Sequence, residues 1–118
     1  MQKIICFRPE ILVEPVEAIA PNPVSGQPVT KVWRQYVHAS GKVTAGLWSC
    51  ENGSFELFSH TSTEICTILE GEAVIEHEDG SRETVRPGDC FVIPYGTHTI
   101  WHVENYVKKS FVCTFVEE

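Results

Sequence analysis

His60 and Glu64 are the residues whose types and spacing fit chemistry most directly. An imidazole and a carboxylate four positions apart at a strand end can share a proton, the elementary unit of acid–base catalysis. Strand parity puts Glu64 on one face with Cys66 and Ile68, so its carboxyl is expected to face an apolar interior. Burial there would raise its pKa and suit it to act as an acid or base. The competing interpretation makes the pair a hydrogen-bonded clamp on the turn Thr61-Ser62-Thr63. Cys66 would be a nucleophile only with a base in reach, and no local motif supplies one, so it reads as core.

The elements that must hold these groups are strands. Alternating apolar residues are broken at Glu70-Gly71, Asp79-Gly80-Ser81 and Pro87-Gly88-Asp89, where tight turns find their positive-φ or fixed-φ residues. Val32 to His38 and Val43 to Cys50 read as a hairpin around Ala39-Ser40-Gly41, with Trp33, Tyr36, Leu47 and Trp48 giving apolar mass to both faces. His98 to Glu104 and Tyr106 to Glu117 read as two more strands, the second with Val107, Phe111, Cys113 and Phe115 on one parity. In the first, Thr99, Trp101 and Val103 face one way and His98, Ile100 and His102 the other. Lys3 to Phe7 is expected to be a short strand, either at an edge or as an arm. Arg8 to Pro28 holds five of the seven prolines and reads as an extended wrap, with helix and central strand disfavoured. The total is about nine strands and no helix, an all-β chain. It forms one domain, with residues 1–30 as strand and wrap and 31–118 as barrel.

Composition excludes whole classes of partner. A net charge of -7, with no basic run longer than Lys108-Lys109, disfavours nucleic acid and anionic membranes. No apolar run approaches a signal or membrane-spanning segment, so a cytoplasmic location is expected. The five cysteines are scattered and include no C-x-x-C pair, which reads as reduced, strand-borne core thiols. Glu76-His77-Glu78-Asp79, with Glu83, reads as a solvated hairpin tip. The expected partners are a small-molecule ligand and a second copy in a homodimer.

The central stretch resembles the two motifs of the cupins, G-x5-H-x-H-x3or4-E-x6-G and G-x5-P-x-G-x2-H-x3-N. Gly53, Phe58, His60, Glu64 and Gly71 align with the first, and Gly88, Pro94, Gly96, Thr99 and Val103 with the second. With Trp48-Ser49-Cys50 before and Trp101 after, the frame is similar to the ureidoglycine-aminohydrolase and ethanolamine-utilisation branch. The resemblance implies a single-domain, RmlC-like jelly-roll β-barrel. Its pocket would be lined by Phe58, His60, Glu64, Cys66, Thr99 and Trp101, with its mouth near Tyr95.

Cupin metals are held by three imidazoles and a carboxylate, a set that suits Mn, Fe, Ni or Zn. Here Phe58 and Thr99 replace the first and last histidines. No metal is therefore favoured, since two ligands fall short of the three usual at open sites. The alternative is one divalent metal on His60, Glu64 and His98, if a bulge near Gly96 turns His98 inward. The resemblance implies a hydrolase or isomerase using Glu64 and His60. A different class is also open: a non-catalytic, metal-free binding or assembly cupin with a vestigial pocket, in which His98, Ile100, His102 and the N-terminal arm form an interface.

Overall fold

The computed structural model describes residues 2–8 and 14–115. Their eight strands are β1 (Val16–Ile19), β2 (Pro23–Val37), β3 (Val43–Leu57), β4 (Thr63–Gly71), β5 (Ala73–His77), β6 (Arg82–Val85), β7 (Cys90–Ile93) and β8 (Thr99–Thr114). All pairings are antiparallel, in the order β1-β2-β3-β8-β4-β7, with β5 joining β8 to β6. Among the described residues no helix is long and apolar enough to cross a membrane.

β8 organises the rest. One edge pairs with β3 from Leu57↔Thr99 to Val43↔Thr114, and the other is shared between β5 and β4. β4 and β5 therefore run end to end beside one strand, and Gly71 makes their join. Its φ is +71°, and an added Cβ would collide with the Tyr106 carbonyl, so only glycine fits there. The inward row of β8 begins with Thr99, Trp101 and Val103, all buried, as alternation requires. Trp101 is 1% exposed and packs among Trp48, Phe55 and Phe91, with ring centroids 5.5, 6.4 and 6.3 Å away.

Several expectations need correction. His98 to Glu104 and Tyr106 to Glu117 are not two strands: a shift between Glu51↔Tyr106 and Gly53↔Val103 lets β8 pass the break as a bulge. That merges two of the expected strands into one. Lys3 to Phe7 forms no strand. The proline-rich wrap contains β1 and the start of β2; Pro23 opens β2, and register shifts near Pro23 and Pro28 spare the missing N–H groups. Pro9 and Val116 to Glu118 lie outside the described residues. Cys50 and Cys66 are core thiols, but Cys6 and Cys90 are exposed, and all five cysteines are free.

Candidate functional site

The loop between β3 and β4 meets the loop between β7 and β8 through backbone hydrogen bonds. His60 N donates to Thr97 O at 3.0 Å and Gly96 N to His60 O at 2.8 Å, while Tyr95 N donates to Thr63 Oγ1 at 3.2 Å. These bonds anchor His60 at the end of the barrel. Its Nε2 lies 2.9 Å from Glu64 Oε1, so the local pair read from sequence is formed, and it is buried.

The other carboxylate oxygen has a partner from across the sheet. Lys109 Nζ on β8 is 2.7 Å from Glu64 Oε2, and Cys66 Sγ donates to the same oxygen at 3.1 Å. The ammonium also lies 4.5 Å from the ring centroids of both Trp48 and Trp101. Register explains the meeting: Lys109 pairs with Trp48 on β3, and Glu64 pairs with Cys113, two inward positions along β8. A buried ammonium thus finds a carboxylate and two aromatic faces in place of its lost water.

Lys109 reverses the expected electrostatics of Glu64. Burial pushes that carboxyl upward, but the Lys109 charge and hydrogen bonds from His60, Lys109 and Cys66 together hold it well below the usual carboxylate range. Burial opposes the charge on Lys109, and Glu64 outweighs it, leaving the ammonium pKa raised. Glu64 is therefore held as an anion at neutral pH, not the elevated acid or base expected from an apolar surround. Burial also drives the Cys66 thiol up to about 12, consistent with a core donor and not a nucleophile.

These groups border a cavity of about 230 Å³, walled by Trp48, Phe55, Trp101 and Phe111 and reached by Arg34 from β2. Of the expected pocket residues, His60, Glu64 and Trp101 line it, and Cys66 supports Glu64 alongside. Thr99 is inward as expected but borders a different cavity, of about 330 Å³, between the β5–β6 hairpin and β7. Phe58 does not line the cavity: it is 61% exposed and stacks on the His98 ring at 5.5 Å. Tyr95 is 47% exposed and lies outside the lining as well.

The alternative metal set is not assembled. β8 pairs with β3 in unbroken register from Thr99 to Val103, so no bulge turns His98 inward, and its Nε2 bonds to Glu56. Among the described residues, no three or more His, Cys, Asp or Glu side chains are grouped to hold a metal. The residues that remain do not fit the ion, because His60 and Glu64 are only two donors and Lys109 already neutralises the carboxylate. His102, on the same outward face, bonds to Ser54 Oγ at 2.9 Å and Glu76 Oε1 at 3.0 Å.

Lys109 and Arg34 are the charged groups that local motifs do not reveal. A signal for Lys109 was present, since it shares the parity of Val107, Phe111 and Cys113 and is the one charged residue between the first and last of them in that row. A lysine in an inward apolar row requires an acidic partner.

An all-β chain whose antiparallel sheet walls an aromatic pocket, with His60 and Glu64 at its edge, has the architecture of a small single-domain cupin of jelly-roll form. The EutQ-like cupin domain model matches residues 24–111, and the chain belongs to that family. No match was found among the curated proteins. In fold the chain is similar to a DUF861-family protein of unknown function from Pseudomonas syringae pv. tomato, at 24% identity and TM-score 0.72, over 87% of this chain and 44% of that one. It is also similar to the Clostridium difficile EutQ protein, at 18% and 0.67, over 76% and 65% of the respective chains. A third neighbour is the polyketide cyclase RemF of Streptomyces resistomycificus, at 19% and 0.64, over 87% and 75%. The chain spans less than two thirds of the length of the first two.

Proposed function

We propose that the cavity binds a small polar metabolite and that His60 moves a proton on it, as in a hydrolase or isomerase of the aminohydrolase-related branch. The observation that carries this is the buried series Lys109, Glu64, His60 opening on one cavity. With Nε2–H donated to Glu64, the lone pair of His60 resides on Nδ1, which is then the base. Glu64 positions the ring and stabilises the imidazolium, the role of the carboxylate in a nucleophile–His–acid series. Lys109 keeps Glu64 ionised and adds a fixed positive charge near any developing oxyanion. Glu64 thus orients the base instead of serving as the base. The protein would work as a homodimer in the cytoplasm.

The test is proton exchange. The protein, incubated in D2O with a panel of small carbonyl and amide metabolites, should catalyse H/D exchange or hydrolysis of at least one, followed by NMR. His60→Asn should remove that activity and Glu64→Gln should lower it by about 10²-fold or more. Turnover that survives His60→Asn would reject the assignment.

A non-catalytic binding or assembly function is favoured by one feature: both Glu64 oxygens already have partners within the protein. Under that function no compound turns over, ligand binding persists in His60→Asn, and removing residues 1–8 changes the oligomeric state.

A further inference from the structure

Resting on the cavity being a ligand site, we infer that its ligand is a monocarboxylic acid with an apolar body, anchored on Arg34. Charge accounting leads to this. The cavity lining contains two cations and one carboxylate, and Lys109 is committed to Glu64 at 2.7 Å. Arg34 is left over: it stands exposed at the rim of the cavity, and among the described residues it has no ion pair. A positive group facing a cavity in a chain of net charge -7 is a local reversal of sign that selects for an anion.

Strand register places that charge. Arg34 pairs with Gly46 on β3, which pairs with Phe111 on β8; the adjacent inward rung is Val32, Trp48 and Lys109. Arg34 and Lys109 are therefore two strands and one inward position apart, about 12 Å between backbones from strand spacing and rise. A ligand held by Arg34 at the β2 side points its far end at the Lys109, Glu64 and His60 group. The surfaces between are Val32, Trp48, Phe55 and Leu57, which offer apolar contact and no charge.

The form of the anion follows. A guanidinium binds a carboxylate through two parallel N–H···O bonds and matches its single charge. A phosphate dianion would leave one charge that this single guanidinium does not match. At about 230 Å³ the cavity is small, which limits the body to about one ring or a short chain.

The test titrates the full chain with phenylacetate, phenylacetamide and phenyl phosphate, read by the fluorescence of Trp48 and Trp101 in the wall and by calorimetry. Phenylacetate should bind at least about tenfold more tightly than its amide and than phenyl phosphate. Arg34→Gln should erase the preference over the amide while leaving amide binding unchanged, and Arg34→Lys should restore part of it. Equal binding of acid and amide, or an acid preference that persists in Arg34→Gln, overturns the anchor but leaves the cavity as a binding site. A preference for the phosphate overturns the carboxylate. Binding of none of the three overturns both the anchor and the cavity assignment, and His60-dependent turnover of an uncharged compound overturns the anchor alone.

Discussion

Lys109 Nζ lies 2.7 Å from Glu64 Oε2 with the rings of Trp48 and Trp101 against it, an ion pair with little access to water. Breaking it from one side leaves a lone buried charge. Lys109→Met should destabilise the fold by about 3–5 kcal/mol, and adding Glu64→Leu should recover much of that, because removing both charges removes the desolvation cost with the attraction. Urea unfolding of the two variants provides the check.

The pair also sets a pH dependence. Glu64 has a depressed folded pKa, so its contribution is complete above the unfolded carboxyl value of about 4.3 and is lost as pH falls through the folded value. Lys109 is the opposite case, with a raised folded pKa, so its contribution holds below its unfolded value of about 10.4 and is lost as pH rises through the folded one. Stability from this pair should be flat between those limits and decline below about pH 4.3. Unfolding free energies from pH 3 to 8 should show a shallower acid limb in Glu64→Gln than in wild type.

Metal binding offers a separate test of Lys109. Mn²⁺, Fe²⁺, Ni²⁺ and Zn²⁺ should leave the Tm of the wild-type protein unchanged, since an ammonium already neutralises Glu64. Lys109→His removes that charge and adds a third donor beside His60 and Glu64, and should gain about one equivalent of Ni²⁺ or Zn²⁺. Stoichiometric metal in wild type that disappears in His60→Ala would contradict this role for Lys109.

Trp101 separates volume from hydrogen bonding. Its Nε1 is buried without a partner, so Trp101→Phe loses no hydrogen bond and should cost less than about 1.5 kcal/mol. Trp101→Ala empties the centre of the aromatic cluster and should cost about 3–5 kcal/mol. Thermal and urea denaturation would show whether the two variants diverge.

Two positive-φ glycines give a matched comparison. A Cβ at Gly80 meets nothing within 4 Å, so Gly80→Ala should cost about 1 kcal/mol for the left-handed backbone alone. At Gly71 the same change also collides with the Tyr106 carbonyl where β4 and β5 join, and should cost well over about 2 kcal/mol. Similar losses in the two variants would disprove the close packing of that join.

What could be read from the sequence was governed by short-range physics. Turn residues mark where strands stop: Asp79-Gly80-Ser81 closes β5 onto β6, with His77 N donating to Ser81 O at 2.8 Å. Alternation put Thr99, Trp101 and Val103 on one face, because the side-chain period of a strand is local geometry, and the family alignment turned that face inward, where the three are buried. His60 and Glu64 are four residues apart and needed only their own loop to meet. The glycine and proline frame, matched to a family, was enough for the cupin fold.

Tertiary structure decided everything that depended on which strands are neighbours. The proline-rich segment reads as a wrap by composition, yet bulges let β2 pair along β3 despite its prolines. His98 has no sequence-level partner, and Glu56, far away in sequence, holds it on the outer face. The sign of the Glu64 shift depended on Lys109, which reaches it only because β4 lies beside β8; burial alone points the opposite way. Arg34 joins the same cavity only because β2 and β3 bring it one rung from Trp48. Periodicity states which face a side chain takes, but a charge acquires its energy from the groups it meets across the sheet, and those are set by strand pairing over long sequence distance.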